Sequence, residues 1–147
     1  MKRKNISIFA SIIVTTMLLV LVIAAVFTLP QIMQVYSKMR GGIDVSSLMV
    51  ALYISSVPGI ICTLSLLKLL FNIRKNDIFT KQNVIILQIL SYCCLFVGIE
   101  YVAICYSRYI SMIFVGFAAI FIGIILRVIK NVFDKAIEIR EENDYTI

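Results

Sequence analysis

The sequence predicts an all-α integral membrane protein: a four-helix bundle with both termini on the cytoplasmic side. Three observations lead there. Of 147 residues, 61% are hydrophobic and 15% charged, which is too apolar for a soluble domain of this length. The apolar residues gather into four stretches, Ile6 to Leu29, Leu48 to Phe71, Val84 to Tyr106 and Ile110 to Ile129. Each has about 20 residues or more, enough at about 1.5 Å per residue to cross a hydrocarbon core of about 30 Å. Finally, the basic residues collect at alternate ends of these stretches. Lys2, Arg3, Lys4, Lys68, Arg74, Lys75, Lys81, Arg127, Lys130, Lys135 and Arg140 lie at one set of ends, and Lys38, Arg40 and Arg108 at the other. That asymmetry places both termini inside by the positive-inside rule, in agreement with an even number of spans.

Runs such as Leu18 to Ile23 do not alternate, which excludes a β-barrel, and a helix satisfies its own backbone in lipid. The net charge of +6 is therefore assigned to topology and lipid headgroups, with no direct nucleic-acid binding expected. The chain reads as one membrane domain over 1–147.

Span 1 carries Ser7, Ser11, Thr15 and Thr16 as its main polar groups and is expected to face lipid over much of its surface. Lys2-Arg3-Lys4 precedes it as in a signal peptide, but the apolar region is too long and Val26 to Pro30 offers no small-residue cleavage site, so it is expected to remain as an anchor. Pro30 is expected to end the helix. Residues 31–47 then form an external loop turning at Gly41-Gly42, with Ile32, Met33, Val35, Tyr36 and Met39 apolar enough to lie along the membrane surface.

Span 2 contains Pro58-Gly59, a candidate hinge, because proline removes a helix donor and crowds the preceding turn. Ser55, Gly59, Cys62 and Ser65 or Leu66 form a narrow stripe suited to close helix approach. Lys68 is near enough to the inner end to snorkel.

In the inner loop, Asn76-Asp77 suits a turn, and Thr80 suits an N-cap whose hydroxyl serves the backbone of Gln82 or Asn83. Phe79 has the spacing to staple against Val84, or else to dock a partner. Span 3 holds Glu100, the only acidic residue within an apolar stretch, expected to pair with Arg108, Arg40 or Lys38 or to serve as an intramembrane ion or proton site. Tyr101, Tyr106 and Tyr109 form part of an outer aromatic belt. Ser107-Arg108-Tyr109 makes spans 3 and 4 an antiparallel hairpin.

Span 4 offers Gly116, Ala119 and Gly123. Ala119-x-x-x-Gly123 supports a packed bundle or a homodimer. Past Arg127 the helical pattern continues, with Ile129, Val132, Phe133, Ala136, Ile137 and Arg140 on one face. Span 4 should extend over 130–147 as an amphipathic cytoplasmic helix that lies on headgroups, packs on the inner loop or receives a partner.

No catalytic, metal or cofactor constellation is legible. The chain has no histidine, no second carboxylate at membrane depth and no G-x-S-x-G. Cys62, Cys93, Cys94 and Cys105 lack C-x-x-C spacing and are expected as free thiols, too unequal in depth to hold a metal.

The inner loop Ile73 to Val84 and the tail Ile139 to Ile147 are similar to those of the bacterial domain-of-unknown-function family numbered 2975. Its members resemble this chain over nearly the whole length as small four-span proteins. Asn76 stands where glycine is common and Tyr145 where leucine is common. The resemblance implies a bacterial plasma membrane location, no established activity, and a genetic neighbour that is a small helix-turn-helix regulator, an analogy for a cytoplasmic partner. Phe79, Thr80, Asn83, Glu141, Glu142, Asn143 and Asp144 are therefore the candidate docking residues, on the reading that the protein is a non-enzymatic membrane regulator or anchor. The alternative is a small transporter, channel or immunity-type protein centred on Glu100 and Arg108.

Overall fold

The computed structural model describes residues 2–39, 41, 45–75, 78–105 and 112–145, with side chains placed for all of these except 2–7, 105, 144 and 145. Four helices follow one another: α1 (Lys2–Met39), α2 (Ser46–Arg74), α3 (Lys81–Cys105) and α4 (Met112–Tyr145). No strand occurs among the described residues. All four helices are long and apolar enough to cross a membrane. Close approaches run only between α1 and α2, α2 and α3, and α3 and α4, so among the described residues the bundle is an open row.

The register is antiparallel throughout. Asn72 meets Asn83 and Ser55 meets Tyr101 across α2 and α3. Lys81 meets Glu141, Tyr92 meets Arg127 and Ser91 meets Gly123 across α3 and α4. The end of α2, the start of α3 and the last third of α4 together form the basic end of the molecule.

Pro30 does not end the first helix, which runs on to Met39. A proline removes one donor and crowds the turn before it, but the N–H groups beyond it keep their acceptors. Residues after Pro30 share a groove with Val45 and Met49 at the start of α2, and that packing replaces the expected surface loop. The connection shrinks to 40–45, where Gly41 has φ +75, a left-handed conformation that glycine adopts without a Cβ penalty. Gly42, Asn76, Asp77 and the Ser107-Arg108-Tyr109 link lie outside the described residues.

Likewise α2 runs unbroken through Pro58-Gly59. Its buried residues are Leu48, Ala51, Pro58 and Thr63, so the packed face holds Pro58 rather than Gly59, where an added Cβ would meet nothing within 4 Å. Of the expected stripe, Ser55 meets Tyr101 of α3 and Cys62 is half-buried, and the helix is continuous at Pro58-Gly59.

The tightest packing joins α3 to α4. A Cβ on Gly98 would stand 2.5 Å from Ile120 Cγ1 and 2.9 Å from the Gly116 carbonyl oxygen, and one on Gly116 would stand 2.8 Å from the Gly98 carbonyl oxygen. Gly123 faces Leu95 as closely. Small residues let the two backbones meet where lipid supplies no hydrophobic force between helices. The residues that do this are Gly98, Gly116 and Gly123, with Ala119 only half-buried.

Candidate docking surface at the basic end

Asn83 organises the turn from α2 to α3. It is fully buried; its amide donates to the Ile78 carbonyl at 2.7 Å, and its side-chain oxygen accepts from the Asn72 amide at 2.7 Å. A buried amide needs such partners, since each one left unmade costs about 1–3 kcal/mol. Asn83 is therefore a keystone of the loop and not a docking residue, because burial denies it to any partner. Thr80 caps α3 as its sequence position suggests: the Asn83 backbone N–H donates to its hydroxyl at 3.4 Å and to its carbonyl at 3.0 Å.

That turn presents Phe79 to α4. Its ring lies against Phe133, centroids 5.2 Å apart and planes tilted by 41°, an offset geometry aromatic pairs favour. Phe79 remains 47% exposed, so one face of the ring is free of this contact. The loop thus staples to α4, where the sequence suggested Val84, itself buried. Lys81 adds a 3.0 Å ion pair to Glu141. Inner loop and C-terminal helix become one surface.

Between them runs a groove of about 450 Å³ lined by Lys81, Asn131, Asp134, Lys135, Ile137, Glu138 and Glu141. Its apolar floor is Ile137, which is buried. Phe133 and Ala136 are half-buried beside it, while Val132 and Ile129 point outward, so the expected apolar face of the helix is divided. Lys135 donates to Glu138 at 2.8 Å, and that carboxylate holds the ammonium above its usual range. Glu141, Glu142 and Asn143 are exposed; the side chain of Asp144 lies outside the described residues.

At the opposite end, both carboxylate oxygens of Glu100 are buried with no hydrogen-bond partner among the described residues. Glu100 faces a groove of about 260 Å³ between α2 and α3, lined with Ser47, Val50, Ala51, Ile54, Ala103 and Ile104. Arg108 and Arg40 lie outside the described residues. Tyr101, expected in an outer belt, is buried and within 3.3 Å of the Ser55 hydroxyl, while Tyr106 and Tyr109 lie outside the described residues. Cys62, Cys93 and Cys94 are free. The α2–α3 register set by Ser55–Tyr101 and Asn72–Asn83 brings Cys62 level with Cys93 and Cys94, whereas Cys105 lies about three turns further along α3. No group of three metal-ligating side chains occurs among the described residues.

The family described as "Protein of unknown function (DUF2975)" matches residues 29–147, and the chain belongs to it. No curated protein and no solved structure matches the chain.

Proposed function

We propose, for this member of the DUF2975 family, a non-enzymatic role as a bacterial membrane regulator or anchor that captures a cytoplasmic protein at its basic end. The observation that carries the reading is the union of inner loop and C-terminal helix through Phe79–Phe133 and Lys81–Glu141. Two segments far apart in sequence present one mixed surface, with a half-exposed aromatic ring beside exposed carboxylates. Such a surface suits a partner with an apolar anchor and a basic rim. The basic-residue asymmetry supports placing this surface, and both termini, in the cytoplasm. The family resemblance points to a helix-turn-helix regulator as that partner.

Affinity capture from crosslinked native membranes tests this. Deleting Glu141 to Ile147 is expected to abolish recovery of the partner while leaving membrane insertion intact, and Phe79→Ser is expected to weaken it. Undiminished capture by both variants rejects the reading.

Glu100 favours a second reading, a small transporter, channel or immunity-type protein acting within the bilayer, because a carboxylate at membrane depth, here with no hydrogen-bond partner among the described residues, marks a functional position by default. Flux in liposomes that is unchanged by Glu100→Gln would count against a path through this residue. Absence of any flux would remove transport altogether.

A further inference from the structure

Near the height where the apolar stretch of α4 ends, a second and smaller cavity opens between α3 and α4. Its volume is about 110 Å³ and its lining is Gln88, Ser91, Tyr92, Arg127, Lys130 and Asn131. Every one of these side chains carries a hydrogen-bond donor, and none is a carboxylate. Ser91 forms the buried floor, its hydroxyl donating to the Gly123 carbonyl at 2.8 Å. Arg127 sits over the Tyr92 ring, 5.4 Å from its centroid, which holds the cation at the mouth. Gln88 reaches the Tyr92 hydroxyl at 3.5 Å.

Charge selects the ligand. Lys130 is paired with Asp134 at 3.0 Å on the turn outside the cavity, whereas Arg127 has no ion pair among the described residues. Counting Asp134, the cluster keeps one net positive charge, the complement of a phosphodiester. The volume would hold three or four waters at about 30 Å³ each, or one phosphate group.

Depth selects the source. Arg127 precedes the end of the apolar stretch at Ile129 by half a turn, so the span reading puts its guanidinium within reach of the lipid headgroups. Toward the membrane centre, Phe96 and Ile124 continue the same helix faces, four residues on from Tyr92 and three before Arg127, and are 53% and 51% exposed. A donor-lined cavity at the interface, continued by an apolar strip into the core, has the layout of a phospholipid with its headgroup in and its chain alongside.

We propose that this cavity binds the phosphodiester of an anionic membrane phospholipid, with Arg127 and Lys130 as charge partners and Gln88, Tyr92 and Asn131 as donors. Basic pockets between membrane helices take anionic headgroups by the same chemistry. The site lies beside the docking surface and does not depend on it.

Native mass spectrometry of the detergent-solubilised full chain tests the proposal by titration with phosphatidylglycerol, phosphatidylcholine, and glycerophosphoglycerol, which is the same headgroup without acyl chains. Phosphatidylglycerol is expected to bind at least about tenfold tighter than either of the others, and Arg127→Gln and Lys130→Gln each to weaken it about tenfold, the loss typical of one charge-assisted hydrogen bond. Lys135→Gln, on the same helix but outside the cavity, and deletion of Glu141 to Ile147 should leave it unchanged. Circular dichroism of each variant establishes that the helices persist. Equal binding of phosphatidylcholine, or full binding by folded Arg127→Gln and Lys130→Gln proteins, overturns the site. If glycerophosphoglycerol binds as tightly as the lipid, the cavity takes a soluble phosphate compound and the lipid assignment is wrong.

Discussion

The α1–α2 pair and the α3–α4 pair are both antiparallel apolar helices, yet they are joined by different means. In α1 the three threonine hydroxyls turn back on their own helix: Thr15 to the Ser11 carbonyl at 2.8 Å, Thr16 to the Ile12 carbonyl at 2.8 Å and Thr28 to the Ala24 carbonyl at 3.1 Å. In α3 the Ser91 hydroxyl crosses to α4, glycines bring the backbones together, and a ring contact and an ion pair fasten the basic end. Because lipid tails are as apolar as the side chains they would displace, burial alone holds membrane helices weakly, and close approach with cross-helix hydrogen bonds decides which pair is a fixed unit. By that criterion α3–α4 is the more tightly joined pair, and it carries the candidate docking surface and the proposed lipid site, while α1 packs on α2 alone among the described residues. The family match begins at residue 29 and leaves most of α1 outside.

The strongest attempt to break this contrast is a pair of glycine substitutions. Gly98→Ala drives a Cβ against Ile120 and the Gly116 carbonyl and is expected to destabilise the protein by about 3 kcal/mol, the upper end for overpacking. Gly59→Ala meets open space and should be neutral or stabilising by up to about 1 kcal/mol, the helix-propensity gain. Unfolding in mixed detergent micelles measures both, and similar losses would dissolve the distinction between packed and unpacked glycines.

Next in size is Asn83→Leu, which keeps bulk but strands the Asn72 amide and the Ile78 carbonyl. A loss of about 2 kcal/mol is expected from two unmade hydrogen bonds, read in the same assay. Faster hydrogen exchange at Ile78 to Val84 should accompany it, since those amides belong to the turn. Unchanged exchange there would mean that Asn83 does not organise the loop.

Span number, helical type and the run of α4 beyond its apolar stretch were legible because hydropathy over twenty residues reports the bilayer directly. The Thr80 cap was legible because capping is local. The features that escaped depend on which faces meet. Gly98 is an isolated glycine in an apolar run and gains meaning only from Gly116 opposite. Asn83 reads as a polar loop residue until Asn72, eleven positions earlier, turns up beside it. The continuation past Pro30 was hidden because a lone proline signals a helix end, and only the groove shared with Val45 and Met49 gives the residues beyond it a reason to stay helical. Arg127 and Tyr92 were each visible, but their adjacency needed the register of α3 on α4.

Ser91→Ala sharpens the contrast at a finer scale. Removing the bond to the Gly123 carbonyl is expected to lower stability by about 1 kcal/mol, between the mean of about 0.6 and the maximum of about 1.7 kcal/mol for interhelical hydrogen bonds in membranes. Thr16→Val removes a bond of equal length within α1 and should change stability by less than about 0.5 kcal/mol, as an ordinary surface substitution does. A larger loss from Thr16→Val would show that α1 is held by more than its contact with α2.

The smallest expected effect is that of the Lys81–Glu141 pair, whose side chains are 75% and 53% exposed. Water screens such a pair, so a double-mutant cycle of Lys81→Met and Glu141→Gln should give a coupling below about 1 kcal/mol, falling further as salt is raised. The ring contact of Phe79 with Phe133 is apolar and insensitive to salt, and should keep the loop seated when the ion pair is gone. If the single variants instead release the loop, seen as protease cleavage between Arg74 and Lys81, then charge and not aromatic packing fastens the loop to α4. The docking surface would then assemble and come apart with ionic strength, and α3–α4 would be tightly joined only within the membrane.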